Sequence, residues 1–226
     1  MCGSTMRSSS QNLSGRLEIA ATVTVAGYFL ASLLERFRRA FPEVQVIIHE
    51  HSRVVIERKI DNGQVDVGVV LVSNVKTRPD REMFPLISSQ RRLWLPANHR
   101  FLEKESVTLS EIAQEPYIQL LIDEAAVTTA NYWKTYGLRP KIVFSSESVE
   151  AVRSMIATGE GVTILSDMVY RPWSLEGDRI ETRAVVEDVP SMDTGLLWRA
   201  GHTPSPVCKA FIDFCRMEYT SGKKIY

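Results

Sequence analysis

The chain has 226 residues, and its 27 Lys and Arg balance its 27 Asp and Glu, so the formal net charge is zero. A neutral chain gives no electrostatic support for binding a polyanion, which argues against DNA contact by this segment alone. Hydrophobic residues make up 44% and charged residues 24%, as in ordinary globular proteins, and no apolar run is long enough to span a membrane.

The start of the chain is polar and lacks the apolar core of a signal peptide. We expect residues 1–13 to be a disordered tag or linker. The three cysteines, Cys2, Cys208 and Cys215, form no Cys-x-x-Cys pair, and their odd number favours a reducing, cytoplasmic location. The seven-residue spacing of Cys208 and Cys215 predicts that both pack on the inner face of the last helix.

The first third of the chain predicts a βαβαβ unit. The turn Thr22–Val25 opens directly into an amphipathic helix, which Pro42 ends, and a second helix ends at Asn62-Gly63. The predicted strands cover residues 17–21, 44–48 and 65–71. This order is typical of a parallel α/β sheet, in which ligands bind at the carboxyl ends of strands.

The rest of the chain predicts a second α/β lobe and a return to the first. The predicted strands cover residues 92–96, 117–122, 141–144, 162–165, 179–185 and 192–199, and the predicted helices cover residues 108–113, 125–136, 149–156 and 204–219. We expect lobe I to contain residues 14–88 and 190–220, and lobe II residues 89–189. Two crossover segments, near residues 86–95 and 186–198, would join the lobes around a ligand-binding cleft.

Four segments resemble the effector-binding domain of LysR-type transcriptional regulators. They are SGRLEIAATVTVAGYFLASLLERFRRAFPEVQV, IERKIDNGQVDVGVV, LSEIAQEPYIQL and SVEAVRSMIATGEGVTILS. The resemblance implies an α/β fold of two Rossmann-like lobes, similar to the type 2 periplasmic binding proteins. It also implies a ligand sensor rather than an enzyme. In full-length members an N-terminal winged helix-turn-helix reads DNA, and we expect that domain to be absent from this chain.

The resemblance places a small-molecule effector against the first strand–helix turn, here Thr22, Val23 and Thr24. The first turn of a helix has unpaired N–H groups and the positive end of the helix dipole, so it suits a carboxylate or a similar anion. The alternatives are an ordinary N-cap role for Thr24 and a strand role for Thr22.

The second lobe offers further candidate contacts at turns that the family pattern directs to the cleft. These candidates are Gln119, Ser145, Ser146, Ser148, Gly161 and Thr163. The serines are expected in one turn before a helix, where their alternative role is capping, and Gly161 is alternatively a helix end. An arginine would pair with an anionic effector, and the candidates are Arg153, Arg171 and Arg199.

The remaining expectations concern partners and rival functions. We expect no cofactor and no metal, because His49 and His51 have no further ligand at a telling spacing. The resemblance implies a homodimer through residues 26–41 and 44–49, a higher oligomer in the full-length protein, and DNA contact only through the missing domain. We expect no membrane contact, because the chain has no long apolar run. An enzyme or a transport solute-binding protein on the same scaffold is the alternative.

Overall fold

The computed structural model describes residues 13–220, so the expected linker and Cys2 lie outside the described residues apart from Leu13. In chain order the elements are β1 (Gly15–Ala21), α1 (residues 23–40), β2 (Val44–Glu50), α2 (Arg53–Asp61), β3 (Val67–Leu71), β4 (Arg81–Ser89), β5 (Arg91–Pro96), β6 (Ser106–Val107), α3 (Leu109–Ile112), β7 (Pro116–Leu120), α4 (Ala125–Thr135), β8 (Lys141–Ser146), α5 (Val149–Ala157), β9 (Thr163–Ser166), β10 (Ile180–Val185), β11 (Met192–Arg199) and α6 (Pro206–Thr220).

The chain divides into two compact units. Unit 1 runs up to Ser88 and resumes at Asp193, and unit 2 is Ser89–Met192. No helix within residues 13–220 has the length and apolar character that a membrane crossing needs.

Unit 1 contains a five-stranded sheet in the order β2-β1-β3-β11-β4. β1 pairs in parallel with both β2 and β3, and β11 runs antiparallel to β3. All five residues of β3 are buried, and Ile19, Ala20 and Ala21 at the end of β1 have no exposed surface. Strands that are buried on both faces have continuous apolar sequences, which explains why the βαβαβ unit could be predicted from the sequence.

Helix α1 is continuous but not uniform. Its segments are Val23–Val25, a π-helical turn Ala26–Leu30, and Ala31–Ala40, and the sequence pattern did not predict the π turn. The helix ends at Phe41, whose backbone leaves the helical region before Pro42.

Helix α6 packs on α1 within unit 1. The Phe37 ring of α1 meets the Phe211 ring of α6 edge to face, with the centroids 5.0 Å apart. Cys208 and Cys215 are buried as expected, and burial raises the pKa of the Cys208 thiol to about 12. Both thiols therefore belong to the core of unit 1.

Unit 2 contains the sheet β6-β10-β5-β9 and the parallel pair β7-β8. A single parallel bridge between Tyr117 and Val162 links the pair to the segment before β9. β8 extends to Ser146, two residues beyond the prediction, because Gln119 and Leu120 of β7 pair with Ser145 and Ser146. These two serines therefore end a strand instead of lying in the turn before α5.

A buried ion cluster ties α2 to β4 in unit 1. The Arg81 side chain is 5% exposed and donates two hydrogen bonds to the Asp61 carboxylate, at 2.9 and 2.6 Å, and a third to Glu57. The Arg81 guanidinium holds the pKa of Asp61 below its ordinary value. Such a bidentate pair combines charge with directed hydrogen bonds, so it orients the end of α2.

We expect Arg81→Gln to lower the free energy of unfolding at pH 7 by about 1.5–3 kcal/mol, the range for hydrogen bonds to charged groups. Because the folded-state pKa of Asp61 is lowered, its contribution is present above the ordinary pKa of 3.8 and is lost as the pH falls through the folded-state value. The difference between the two proteins in urea unfolding should therefore shrink below pH 3.8. Arg179→Gln, at the exposed Arg179–Glu181 pair in unit 2, is the control. Equal losses in both variants would contradict this role for the cluster.

Candidate functional site

One residue, Thr22, separates the end of β1 from the start of α1. Its backbone is extended, and its carbonyl oxygen accepts the first helical hydrogen bond from the Ala26 N–H, at 2.8 Å. The N-cap position is thus Thr22 rather than Thr24, and the Thr22 side chain makes no capping bond. Thr24 lies in the first helical turn, where it is buried, whereas Val23 is half exposed.

The polar groups of this turn are only partly used. Thr22 is 2% exposed, and its hydroxyl has no hydrogen-bond partner among the described residues. The first N–H groups of a helix have no partner within the helix, and no acidic residue occupies this first turn. An unpaired buried hydroxyl costs free energy unless another group pairs with it. The turn therefore offers donors that suit an oxygen-rich anion.

In unit 2 the ends of β7 and β8 bring Gln119 beside Ser145. Gln119 is 6% exposed, and its side-chain amide donates to the Leu120 carbonyl oxygen at 2.7 Å. Ser145 is exposed, and the Ser146 hydroxyl accepts the Ser148 N–H at 3.0 Å. Parallel pairing thus places an amide and a hydroxyl on neighbouring strands.

Three of the predicted contacts have local structural roles. The Ser148 hydroxyl accepts the Ala151 N–H at 3.2 Å, which makes Ser148 the N-cap of α5. The Thr163 hydroxyl donates to the Ile118 carbonyl oxygen at 2.7 Å. A Cβ atom on Gly161 would lie 2.6 Å from the Pro116 carbonyl oxygen, so Gly161 permits a close approach to β7 and does not end the helix.

An open cavity of about 740 Å³ lies within unit 2, and the sequence did not predict it. One wall comes from α4 and the other from the β7–β8 pair and the loop between α4 and β8. The lining residues are Gln119, Leu121, Ala126, Thr129, Ala130, Trp133, Lys134, Gly137, Leu138, Arg139, Pro140, Ile142 and Ser145. The available signal was the helical spacing of Ala126, Thr129, Ala130 and Trp133, which puts three small side chains on the same face of α4 as Trp133.

Strained backbone leads into that helix. Asp123 and Glu124 have φ values of 49° and 65°, a region that side-chain-bearing residues rarely adopt. Strain of this kind is found preferentially near functional sites and is tolerated where surrounding structure enforces it. Asp123 and Glu124 lie in the chain between Leu121 and Ala126, and these two flanking residues line the cavity.

Of the three arginine candidates, Arg153 and Arg171 contact groups of unit 2, whereas Arg199 is exposed at the end of β11 in unit 1. Arg153 is buried, forms an ion pair with Glu150, and donates to the Val169 carbonyl oxygen at 2.7 Å. Arg171 donates to the Met168 and Tyr170 carbonyl oxygens. The cations that line the cavity are instead Lys134 and Arg139, which the sequence argument did not consider.

The histidine pair on β2 has a local explanation. The Nε2 atom of His49 lies 2.6 Å from the Glu18 carboxylate, and this hydrogen bond is the largest of the causes that lower the pKa of Glu18. The His49 and His51 rings stack with their centroids 6.1 Å apart. Within residues 13–220, no group of three or more His, Cys, Asp or Glu residues has a geometry that would hold a metal ion.

The family model for the LysR substrate binding domain matches residues 10–220. The chain belongs to this family. Among curated relatives, it is 28% identical over 160 residues to the HTH-type transcriptional regulator SsuR of Burkholderia cenocepacia, covering 70% of this chain and 52% of that protein. The chain thus spans about half the length of several curated relatives that it matches.

Solved LysR-family structures share the fold. HinK from Pseudomonas aeruginosa, a LysR family transcriptional regulator, superposes with a TM-score of 0.83 at 24% identity over 95% of this chain and 73% of that chain. The effector-binding domain of QuiR in complex with shikimate gives 0.77 at 18% identity, over 93% and 99% of the two chains. The expected α/β fold of two Rossmann-like lobes, similar to type 2 periplasmic binding proteins, is confirmed.

The local role of Gly161 can be tested by substitution. We expect Gly161→Ala to destabilise the protein by about 1–3 kcal/mol, because the added methyl group would collide with the backbone of β7. Gly27→Ala is the matched control, since no heavy atom lies within 4 Å of a Cβ at that position. Urea unfolding of the variants without ligand measures both effects. Equal stability of Gly161→Ala and the wild type would remove the packing role.

Proposed function

We propose that the chain is the ligand-sensing regulatory domain of a LysR-type transcriptional regulator. In this proposal a small-molecule effector binds the domain and changes how the longer protein uses a separate DNA-binding domain. Membership of the family supports the proposal, as do the curated relatives, which are transcriptional regulators. A regulator acting on DNA implies a cytoplasmic location, and the domain would act as a sensor without catalysing a reaction.

The Thr22–Val25 turn is the observation that carries the effector assignment. It combines the first N–H groups of α1 with a buried hydroxyl that has no partner among the described residues. Both groups donate hydrogen bonds, and the helix dipole adds a positive potential, so an anionic metabolite such as a carboxylate is the proposed effector class.

The proposed effector contacts form one set in each unit, and the two sets are independent proposals. In unit 1 they are Thr22, Val23 and Thr24. In unit 2 they are Gln119, Ser145 and Ser146. We leave Ser148, Gly161 and Thr163 out of these sets, because the cap, the close backbone approach and the hydroxyl bond already account for them.

The proposal is tested by a thermal-shift screen against carboxylic acids, sugar acids and amino acids, followed by calorimetry of any hit on Thr22→Val. A ligand at about 100 times its Kd should raise the free energy of unfolding by about 2.7 kcal/mol. Thr22→Val should weaken binding of that ligand by about 1–3 kcal/mol, because the ligand loses a hydrogen-bond donor.

The same variant separates binding from folding. Valine has nearly the shape of threonine and removes a buried hydroxyl without a partner among residues 13–220, so Thr22→Val should not lose stability in the absence of ligand. Arg58→Gln, an exposed change on α2, is the control for binding. An unchanged affinity in Thr22→Val would remove the turn from the site, and turnover of the ligand by the protein would favour an enzyme.

We also propose that the domain forms a homodimer in which α1 and β2 of one copy lie against those of a second copy. β2 is an edge strand of its sheet, and Ile48 on this strand is 42% exposed. An open edge that carries apolar side chains favours a covering partner, and two-fold pairing supplies one. A higher oligomer of the full-length protein would use additional contacts.

We expect light scattering to give the mass of a dimer at micromolar concentration and Ile48→Lys to shift it towards the monomer, because a lysine in the paired edge would be desolvated. Val186→Lys replaces a comparably exposed apolar residue in unit 2 and should leave the mass unchanged. A monomeric wild-type chain, or equal effects of the two variants, would contradict the proposed interface.

A further inference from the structure

The cavity of unit 2 has the size of a small-molecule site. Its volume of about 740 Å³ falls within the range of about 300–1,000 Å³ that is usual for ligand pockets. Ala126, Ala130 and Trp133 lie on one side of α4 at helical spacing, and Ile142 of β8 adds an apolar side chain. These residues give the pocket a wall on which a flat apolar molecule could lie.

Small side chains on α4 leave part of this space unfilled. Protein interiors are close-packed, and larger residues on the inner face of a helix normally fill such a gap. Here α4 presents alanines at two of the lining positions, and the Ile142 side chain remains 52% exposed. The exposed apolar surface is therefore grouped around the cavity, where a ligand would bury it.

The Trp133 indole supplies a second, independent observation. Trp133 is 2% exposed, and its Nε1–H has no acceptor among residues 13–220. The neighbouring Tyr117 and Tyr132 hydroxyls hydrogen-bond to each other at 3.2 Å, so the aromatic cluster satisfies its hydroxyls but not this donor. A buried donor without an acceptor is uncommon in folded proteins, and this one belongs to a residue that lines the cavity.

The charges at the cavity have one sign. Its lining contains Lys134 and Arg139 but no Asp or Glu. Both cations are exposed, and neither forms an ion pair within the part of the chain that the structure describes. A planar guanidinium with free donors binds a carboxylate, a sulfonate or a phosphate through paired hydrogen bonds.

We propose that this cavity binds an amphipathic anion, with a flat apolar body against Trp133 and the alanines of α4 and an acidic group at Arg139 and Lys134. The inference deepens the proposed function, because Gln119 and Ser145 belong to both, and it rests on that function only for the claim that the ligand regulates. It names the chemical class that unit 2 takes: an aromatic or similarly apolar acid rather than a small polar anion.

The test uses a pair of fluorescent probes that differ in charge. 1-Anilinonaphthalene-8-sulfonate carries an acidic group on an aromatic body, and N-phenyl-1-naphthylamine is its uncharged counterpart. We expect saturable binding of the sulfonate, with one molecule per chain and tighter than the amine. Arg139→Gln should weaken sulfonate binding by roughly threefold, in keeping with a partly exposed charge pair. The same change should leave amine binding as it was.

Filling the cavity tests its location. Ala130→Trp should weaken both probes by about tenfold or more, because the new indole occupies space that the ligand needs. Val127→Trp is the matched control: Val127 is on the same helix, is 61% exposed, and does not line the cavity. Arg58→Gln controls for the loss of one positive charge. Circular dichroism and thermal unfolding establish that each variant is folded.

Each outcome separates this inference from the proposed effector turn. Absence of saturable sulfonate binding, or equal weakening by Ala130→Trp and Val127→Trp, would overturn the cavity proposal and leave the Thr22 test unaffected. Cavity-dependent binding of the probe together with no hit in the metabolite screen would support the cavity proposal while removing support for the turn. Equal binding of the charged and uncharged probes would overturn the role of Arg139 and Lys134.

Discussion

The parallel pairing of β1 with both β2 and β3 is the constraint on which unit 1 depends. Parallel neighbours cannot be joined by a tight turn, so the chain must leave the end of β1, cross over as α1, and return as β2. Only Thr22 lies between β1 and the helix. The sheet therefore holds the N–H groups of the helix start in place, and no flexible loop separates them from the core. The proposed effector turn is therefore ordered before any ligand binds.

Unit 2 obtains its polar groups by a different route. The register of β7 against β8 sets Gln119 beside Ser145, and the absence of a side chain at Gly161 lets the segment before β9 approach the backbone of Pro116. A shift of one residue in that register would turn the side chains of one strand to the opposite face, so that Gln119 and Ser145 would no longer lie side by side. The packing of Gly161 therefore supports the proposed contacts Gln119 and Ser145 through the backbone alone.

The sequence predicted what depends on local pattern and missed what depends on distant partners. Apolar runs and helical spacing gave the βαβαβ unit, and the buried face of α6 was visible from Cys208 and Cys215. The end of β8 was misjudged because strand length is set by pairing with β7, which the residues around Ser146 do not encode. The cavity was not predicted for a related reason. Its volume depends on how α4, β7 and β8 pack together, and a local sequence pattern does not determine that packing.

The arginines illustrate how burial decides which charge is available to a ligand. Arg153 looked suitable in the sequence, but it lies in the core of unit 2, where Glu150 and the Val169 carbonyl oxygen occupy its guanidinium. Moving this cation towards a ligand would break its ion pair with the partly exposed Glu150 carboxylate and would leave the buried Val169 carbonyl oxygen without its donor. Arg139 forms no ion pair among the described residues, and it lines a largely apolar cavity. An exposed cation can pair with a ligand without first breaking a contact within the protein. The burial of a cation therefore predicts its availability to a ligand better than its presence in the sequence does.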